Sequence, residues 1–201
     1  MHEIVPDIWT WPWLSQRHGY NFNGYLVCHA GGNLCIDPVE PDPETLAEIE
    51  RRGAARVLIT NRNHVRAANL VRARTGARTA IHPDDAAYAR EQGAELDDEL
   101  RPGSHIGPFI TLGVPGKSPG EVALHWPERR ILIVGDALIG TPPGRCSLLP
   151  AKLIDHLARL RASVAGLLDL DFDTLLVADG QPILSAAKDR VAELVASFLG
   201  A

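Results

Sequence analysis

The chain has 201 residues, 45% of them hydrophobic and 22% charged, with a formal net charge of −5. That length can bury a core without staples, as one domain or as two fused halves. The acidic balance and the lack of a basic tract argue against a nucleic-acid partner, and no apolar run reaches the ~18 residues that a membrane span needs. Met1-His2-Glu3 lacks the basic segment and apolar run of a secretory signal, so the expectation is a cytoplasmic protein.

Ile4 to Trp13 predicts one or two short strands. Trp9, Trp11 and Trp13 alternate and therefore share a face. That face suits core packing, an interface such as that of a homodimer, or an aromatic wall beside a small-molecule pocket. Pro12 confines the strand to an edge. Ser15 to Asn21 reads as a polar loop carrying His18. Phe22 to Ala30 and Asn33 to Pro38 predict a hairpin that turns at Gly31-Gly32. With that turn Cys28 faces Cys35 across a hydrogen-bonded pair, where side chains stand further apart. In a reducing compartment the pair reads as two free thiols.

Asp42-Pro43 opens a helix as N-cap and first residue, with Leu46 and Ile49 on its inner face. Arg56 to Thr60 predicts a buried strand, followed by a helix from about Val65 to about Arg74 that ends at Gly76. A strand over Arg78 to His82 leads into a helix from Pro83-Asp84 to about Gln92. Gly93 to Ser104 reads as an acidic surface loop. Phe109 to Val114, Glu121 to Trp126 and Arg130 to Val134 predict three strands, the last ending in Gly135-Asp136. A loop at Thr141 to Gly144 precedes a helix over roughly Ala151 to Ala165. A strand over Thr174 to Val177 ends in Ala178-Asp179-Gly180. The last helix has Leu184, Ala187, Val191, Leu194, Val195 and Phe198 at helical spacing.

Several strands thus end in polar residues: Asp37, Thr60, Asp136 and Asp179. Open α/β sheets bind ligands beyond the carboxyl ends of their strands. Thr60 to Arg66 is therefore the first candidate site. Within it, His64 reads either as a residue of the turn or surface, or as a general base paired with Asp136 or Asp179. Cys146 sits beside Arg145, but a reactive thiol needs a closely placed base or cation, and a small loop cysteine is the simpler reading. There is no Gly-x-Ser-x-Gly elbow.

Taken in order and spacing, these segments carry a family resemblance. Ile36-Asp37-Pro38 closes an early Gly-rich hairpin, and the Thr60 strand runs into a helix. Gly116-Lys117-Ser118-Pro119-Gly120 resembles a Gly-His-Thr-Pro-Gly turn, Gly135-Asp136 a Gly-Asp strand end, and Ala178-Asp179-Gly180 a Gly-His-Gly. Over nearly its whole length the chain resembles the metallo-β-lactamase-fold superfamily, which includes glyoxalase II. The resemblance implies an α/β protein of the four-layer αβ/βα sandwich type. It would have two mixed sheets, helices on the outer faces, and a single domain over residues 1–201.

The family's Thr-His-x-His-x-Asp-His motif then falls on Thr60 to Arg66. Its first two histidines fall on Asn61 and Asn63, its aspartate on Val65 and its third histidine on Arg66. The next histidine falls on Lys117 and the last on Asp179, while the bridging aspartate is kept as Asp136. Zinc takes histidine, cysteine or carboxylate ligands, whereas lysine and arginine are cations. The resemblance therefore implies no metal and no other cofactor, with Lys117 and Arg66 standing in for metal charge near Asp136 and Asp179. His64, Lys117 and Asp136 are the catalytic candidates, and Asn61, Asn63, Arg66 and Asp179 the substrate-binding ones. The alternative is one divalent metal such as zinc at His64, Asp136 and Asp179.

Three functions fit. The first is a metal-independent or non-catalytic member that binds a small anionic ligand beside Arg62, Arg66 and Lys117. The second is a hydrolase of esters, thioesters or lactams with an unusual metal or none. The third is an interaction protein with a vestigial pocket.

Overall fold

The computed structural model describes residues 1–198. Two compact units divide the chain, Met1–Leu100 and Arg101–Ala201. The first holds a seven-stranded mixed sheet whose spatial order follows the sequence: β1 (His2–Val5), β2 (Ile8–Ser15), β3 (Tyr20–Val27), β4 (Leu34–Ile36), β5 (Arg56–Ile59), β6 (Arg78–Ile81) and β7 (Asp98–Glu99). β1 to β4 pair antiparallel, and β4 to β7 pair parallel. Parallel neighbours need long crossovers. Here these carry α1 (Pro43–Arg52), α2 (Ala68–Thr75) and α3 (Pro83–Glu91). Asp42 caps α1 by accepting from Thr45 N at 2.7 Å, and α2 ends on Gly76 in the left-handed region. Trp11, Leu26, Cys35, Ile49, Val57, Ile59, Val71 and Ala89 share one buried apolar cluster.

Several expectations needed correction. The hairpin register pairs Val27 with Leu34 and Leu26 with Cys35, so Cys35 faces Leu26 and not Cys28. The cause is Asn33. Its Oδ1 accepts from His29 N, and its Nδ2 donates to Arg52 O and Gly53 O, which draws the turn out to the end of α1. Cys28, Cys35 and Cys146 are all free thiols. α2 begins at Ala68 instead of Val65, because the preceding residues are spent on turns. The expected surface loop contains β7, where Asp98 binds Arg56 Nη1 at 2.7 Å and Arg78 Nη2 at 2.6 Å.

The tryptophans divide. Trp11 is buried and donates to Val39 O, while Trp9 lies under the Arg52 guanidinium. Trp13 is 44% exposed and rests on Phe22. Pro12 falls beyond Thr10, where the β1 pairing stops, so β2 has a single neighbour there and needs no N–H from the proline.

The second unit holds a five-stranded mixed sheet formed by β8 (His105–Ile106), β9 (Phe109–Gly113), β10 (Val122–Trp126), β11 (Ile131–Val134) and β12 (Thr174–Val177). Only β11 and β12 pair parallel. The helix expected from Ala151 splits into a 3₁₀ turn at Ala151–Leu153 and α4 (Leu157–Gly166). α5 (Ala187–Ser197) buries Ala187 and Val191 and starts after Leu184, which is exposed. Among the described residues no helix is long and apolar enough to cross a membrane.

Candidate functional site

In the first unit the site is built by the turn after β5. Asn61 is buried, and its Oδ1 accepts from Asn63 N at 2.9 Å while its carbonyl accepts from His64 N at 3.0 Å. That side chain mimics a backbone turn, a habit of asparagine. α3 grips the same loop. Asp85 accepts from Arg62 N at 2.9 Å, Gln92 donates to Arg62 O at 2.7 Å, and the Arg62 guanidinium lies over Tyr88. Arg66 takes a positive φ of 35°, and its guanidinium lies 4.4 Å from the Phe22 ring centroid. Ala67 N then donates to Pro38 O, which ties the loop to the end of β4.

The result is that His64 turns inward and is 1% exposed. Its Nδ1 lies 2.8 Å from Asp37 Oδ2 and 3.2 Å from Thr60 Oγ1. Thr60 donates twice to the same carboxylate, from Oγ1 at 2.5 Å and from its backbone N at 2.8 Å. Asn63, by contrast, is exposed. His18 stays on its hairpin, against Ser15, Tyr20 and Phe22. Asp37 is the residue that sequence reasoning passed over, noting it only as a polar strand end. The available signal was pairing: β4 and β5 are parallel with Ile36 opposite Leu58, so the polar residues that follow each strand meet.

In the second unit Lys117 Nζ lies 2.5 Å from Asp136 Oδ2, and each residue is 5% exposed. Lys117 sits on the loop between β9 and β10, and the start of α4 holds that loop. His156 N donates to Gly116 O, Asp155 N to Lys117 O, and Ser163 Oγ to Pro115 O. Gly116 has φ 143°, and a Cβ there would stand 2.3 Å from Leu160 N. Asp136 and Asp179 follow adjacent parallel strands. Val134 pairs with Val177, so two further residues bring the carboxylates level, with oxygens within 4.8 Å. Beyond them the loops cross at Gly140 and Gly180, where Gly140 N donates to Asp179 O and a Cβ on Gly140 would stand 2.0 Å from Gln181 O. Two buried carboxylates this close oppose each other's ionisation unless a cation sits with them. Lys117 brings such a cation to Asp136.

The surroundings of Cys146 and Cys35 do not favour thiol chemistry. Burial pushes the Cys146 thiol up to about 11, against the pull of the Arg190 guanidinium. Burial, helped by Asp37, pushes Cys35 further up.

The comparisons agree with this architecture. A family model described as the metallo-beta-lactamase superfamily matches residues 2–198. A hydroxyacylglutathione hydrolase of Cereibacter sphaeroides is 32% identical over 146 residues, which cover 69% of this chain and 54% of that protein. The corresponding enzyme of Thermosynechococcus vestitus is 33% identical over 146 residues, again 54% of its length. The chain thus spans about half the length of the relatives it matches. Among solved structures, the DIM-1 metallo-β-lactamase superposes with a TM-score of 0.78 at 16% identity, over 98% of this chain and 96% of that one. TTHA1623, solved in a di-iron-bound form, gives 0.70 at 25% identity, over 90% and 98%. With two mixed sheets flanked by helices and a family match from end to end, the chain belongs to the metallo-β-lactamase superfamily.

Proposed function

We propose that this chain is a superfamily member that works without the family's paired-metal centre and binds a small anionic ligand, with Lys117 in the place of a metal charge. The observation that carries this reading is the buried contact between Lys117 Nζ and Asp136 Oδ2 at 2.5 Å. Asp136 is the position that the resemblance assigns to the bridging ligand, and an ammonium already sits on it. The rest of the donor set does not fit a dinuclear centre either. Asn61 spends its side-chain oxygen on Asn63 N, Asn63 is exposed, and Arg66 is a cation lying over Phe22. Arg66, a cation at one of the positions that the resemblance assigns to a ligand, favours an anionic ligand. The matched relatives are named for hydrolysing a hydroxyacylglutathione, which supports a ligand of that chemical kind.

Metal analysis of protein purified without chelator tests this. The expected result is far less than one zinc, iron or manganese per chain, unchanged after incubation with zinc. Stoichiometric metal overturns it.

A second reading has its own support. His64, Asp136 and Asp179 are all buried and all of types that hold zinc. Under it, the protein is a hydrolase of esters, thioesters or lactams with one divalent metal. Stoichiometric metal that is lost in each of His64→Ala, Asp136→Ala and Asp179→Ala would establish that reading in place of the first.

A further inference from the structure

The hairpin of β2 and β3 runs on past its neighbours in the sheet. Pairing of β2 with β1 ends at Thr10, and pairing of β3 with β4 begins at Tyr25. Beyond these points residues 11–15 and 20–24 pair with each other as a two-stranded ribbon, Trp11 opposite Gly24 and Ser15 opposite Tyr20. We infer that the outer end of this ribbon docks on a lipid bilayer surface with anionic headgroups. Trp13 and Leu14 are its apolar anchors, and Arg17 is its charged contact.

The ribbon is held at its base and at its tip, so the exposure of its outer end is built in. At the base Trp11 is buried and donates from Nε1 to Val39 O at 3.0 Å. Its ring packs so closely that a Cβ on Gly24 would stand 2.6 Å away. At the tip Gly19 N donates to Ser15 O at 2.8 Å, and Ser15 Oγ lies 2.7 Å from His18 Nδ1. Between these fixtures Trp13 is 44% exposed and Leu14 59%. Successive strand residues point to opposite faces, so the two lie on opposite sides of the ribbon. A flat protein partner would cover one side only, whereas a bilayer interface surrounds both. Indole rings settle at the headgroup level, and leucine side chains enter the acyl boundary below it.

The charge pattern selects the kind of surface. The chain carries a net charge of −5, yet no aspartate or glutamate occurs from Ile8 to Ile36, and the exposed Arg17 stands in the turn at the tip. The acids that flank this stretch, Asp7 and Asp37, lie at the base end of the ribbon. Five strand residues reach about 17 Å, which is longer than the ~8–10 Å over which physiological salt screens charge. A headgroup met by the tip therefore feels Arg17 more than those acids. One arginine beside an anionic leaflet strengthens binding roughly fivefold. The inference does not depend on what the site binds.

Vesicle flotation tests it on the full chain, with vesicles of equal parts phosphatidylcholine and phosphatidylserine and with vesicles of phosphatidylcholine alone. The parent should float with the mixed vesicles and less with the neutral ones. Trp13→Ser with Leu14→Ser should weaken binding about tenfold or more. Arg17→Gln should weaken it roughly fivefold on the mixed vesicles and leave the neutral ones unchanged. Circular dichroism checks that each variant is folded, and if the double variant is not, Leu14→Ser alone carries the test. A parent that does not float overturns the inference, as do folded anchor or Arg17 variants that float as the parent does. A lipid-free dimer of the parent that the anchor substitutions disperse also overturns it, and assigns the ribbon to a second copy of this chain.

Discussion

Asp37 and Asp136 are both buried carboxylates just past the ends of strands, one in each unit, and they are satisfied in different ways. Asp37 accepts from a backbone N–H, a hydroxyl and an imidazole. Asp136 meets an ammonium and has a second carboxylate, Asp179, close by. The first arrangement spreads the charge over several donors, so the loss of one leaves others in place. The second sets an ammonium directly on the carboxylate, and its loss takes a positive charge from beside two buried acids. Removing one partner of a buried ion pair is costly, whereas replacing the whole pair by apolar groups often is not.

The largest expected effect follows from that contrast. Lys117→Ala should destabilise the protein by about 3–5 kcal/mol, read from urea denaturation. The double variant Lys117→Met with Asp136→Leu should recover most of the loss, because only one carboxylate then remains. A loss below about 1 kcal/mol in Lys117→Ala would break the comparison.

Next comes the scaffold beneath the lysine. Gly116→Ala would drive a Cβ against the Leu160 backbone in an unfavourable φ region and should cost about 2–3 kcal/mol. If it is neutral, the loop can move and the ion pair is not held from below. Thr60→Val tests the other unit. It removes one charged hydrogen bond from Asp37 and keeps the backbone donor, at about 1.5 kcal/mol.

Carboxylates outside the core should behave differently from both buried ones. A hydrogen bond from the Arg72 guanidinium holds Asp97 below the usual carboxylate range, and one from Arg78 does the same for Asp98. A depressed folded value means that the contribution is fully present above the unfolded pKa of about 3.9 and is lost as pH falls through the folded value. Stability should therefore decline below about pH 4. Arg72→Met should flatten that acid limb, and 1 M salt should weaken it in the parent. The smallest effect concerns the thiols. Iodoacetamide at about pH 8 should modify half-buried Cys28 before Cys146 or Cys35, whose thiols burial keeps protonated.

Much of the scaffold was legible in the sequence, because long apolar runs and helix caps carry strong local signals. β5, β11 and β12 lie where Val, Leu and Ile cluster, and Asp42-Pro43 marks α1. β7 and β8 have two residues each, too few to show any period. The hairpin register was misread because Asn33 answers to the end of α1, a partner far along the chain. The same limit explains the site. Asp136 stands out as a charged residue at a strand end, and Lys117 through the resemblance of Gly116 to Gly120 to a Gly-His-Thr-Pro-Gly turn. That His64 points inward depends on the Asn61 turn, on Asp85 of α3 and on Gln92 just after that helix, and spacing alone shows none of these.

The crossing of the loops at Gly140 and Gly180 has a consequence for redesign. Backbone meets backbone there, so the spacing between positions 136 and 179 is fixed without reference to the side chains they carry. Such a seat is chemically interchangeable: its occupants can be exchanged while its dimensions stay. Lys117→His with Asp179→His would place two imidazoles beside Asp136 on an unaltered chassis, and that donor set is one zinc accepts. In this sense the backbone alone keeps positions 136 and 179 at a set distance.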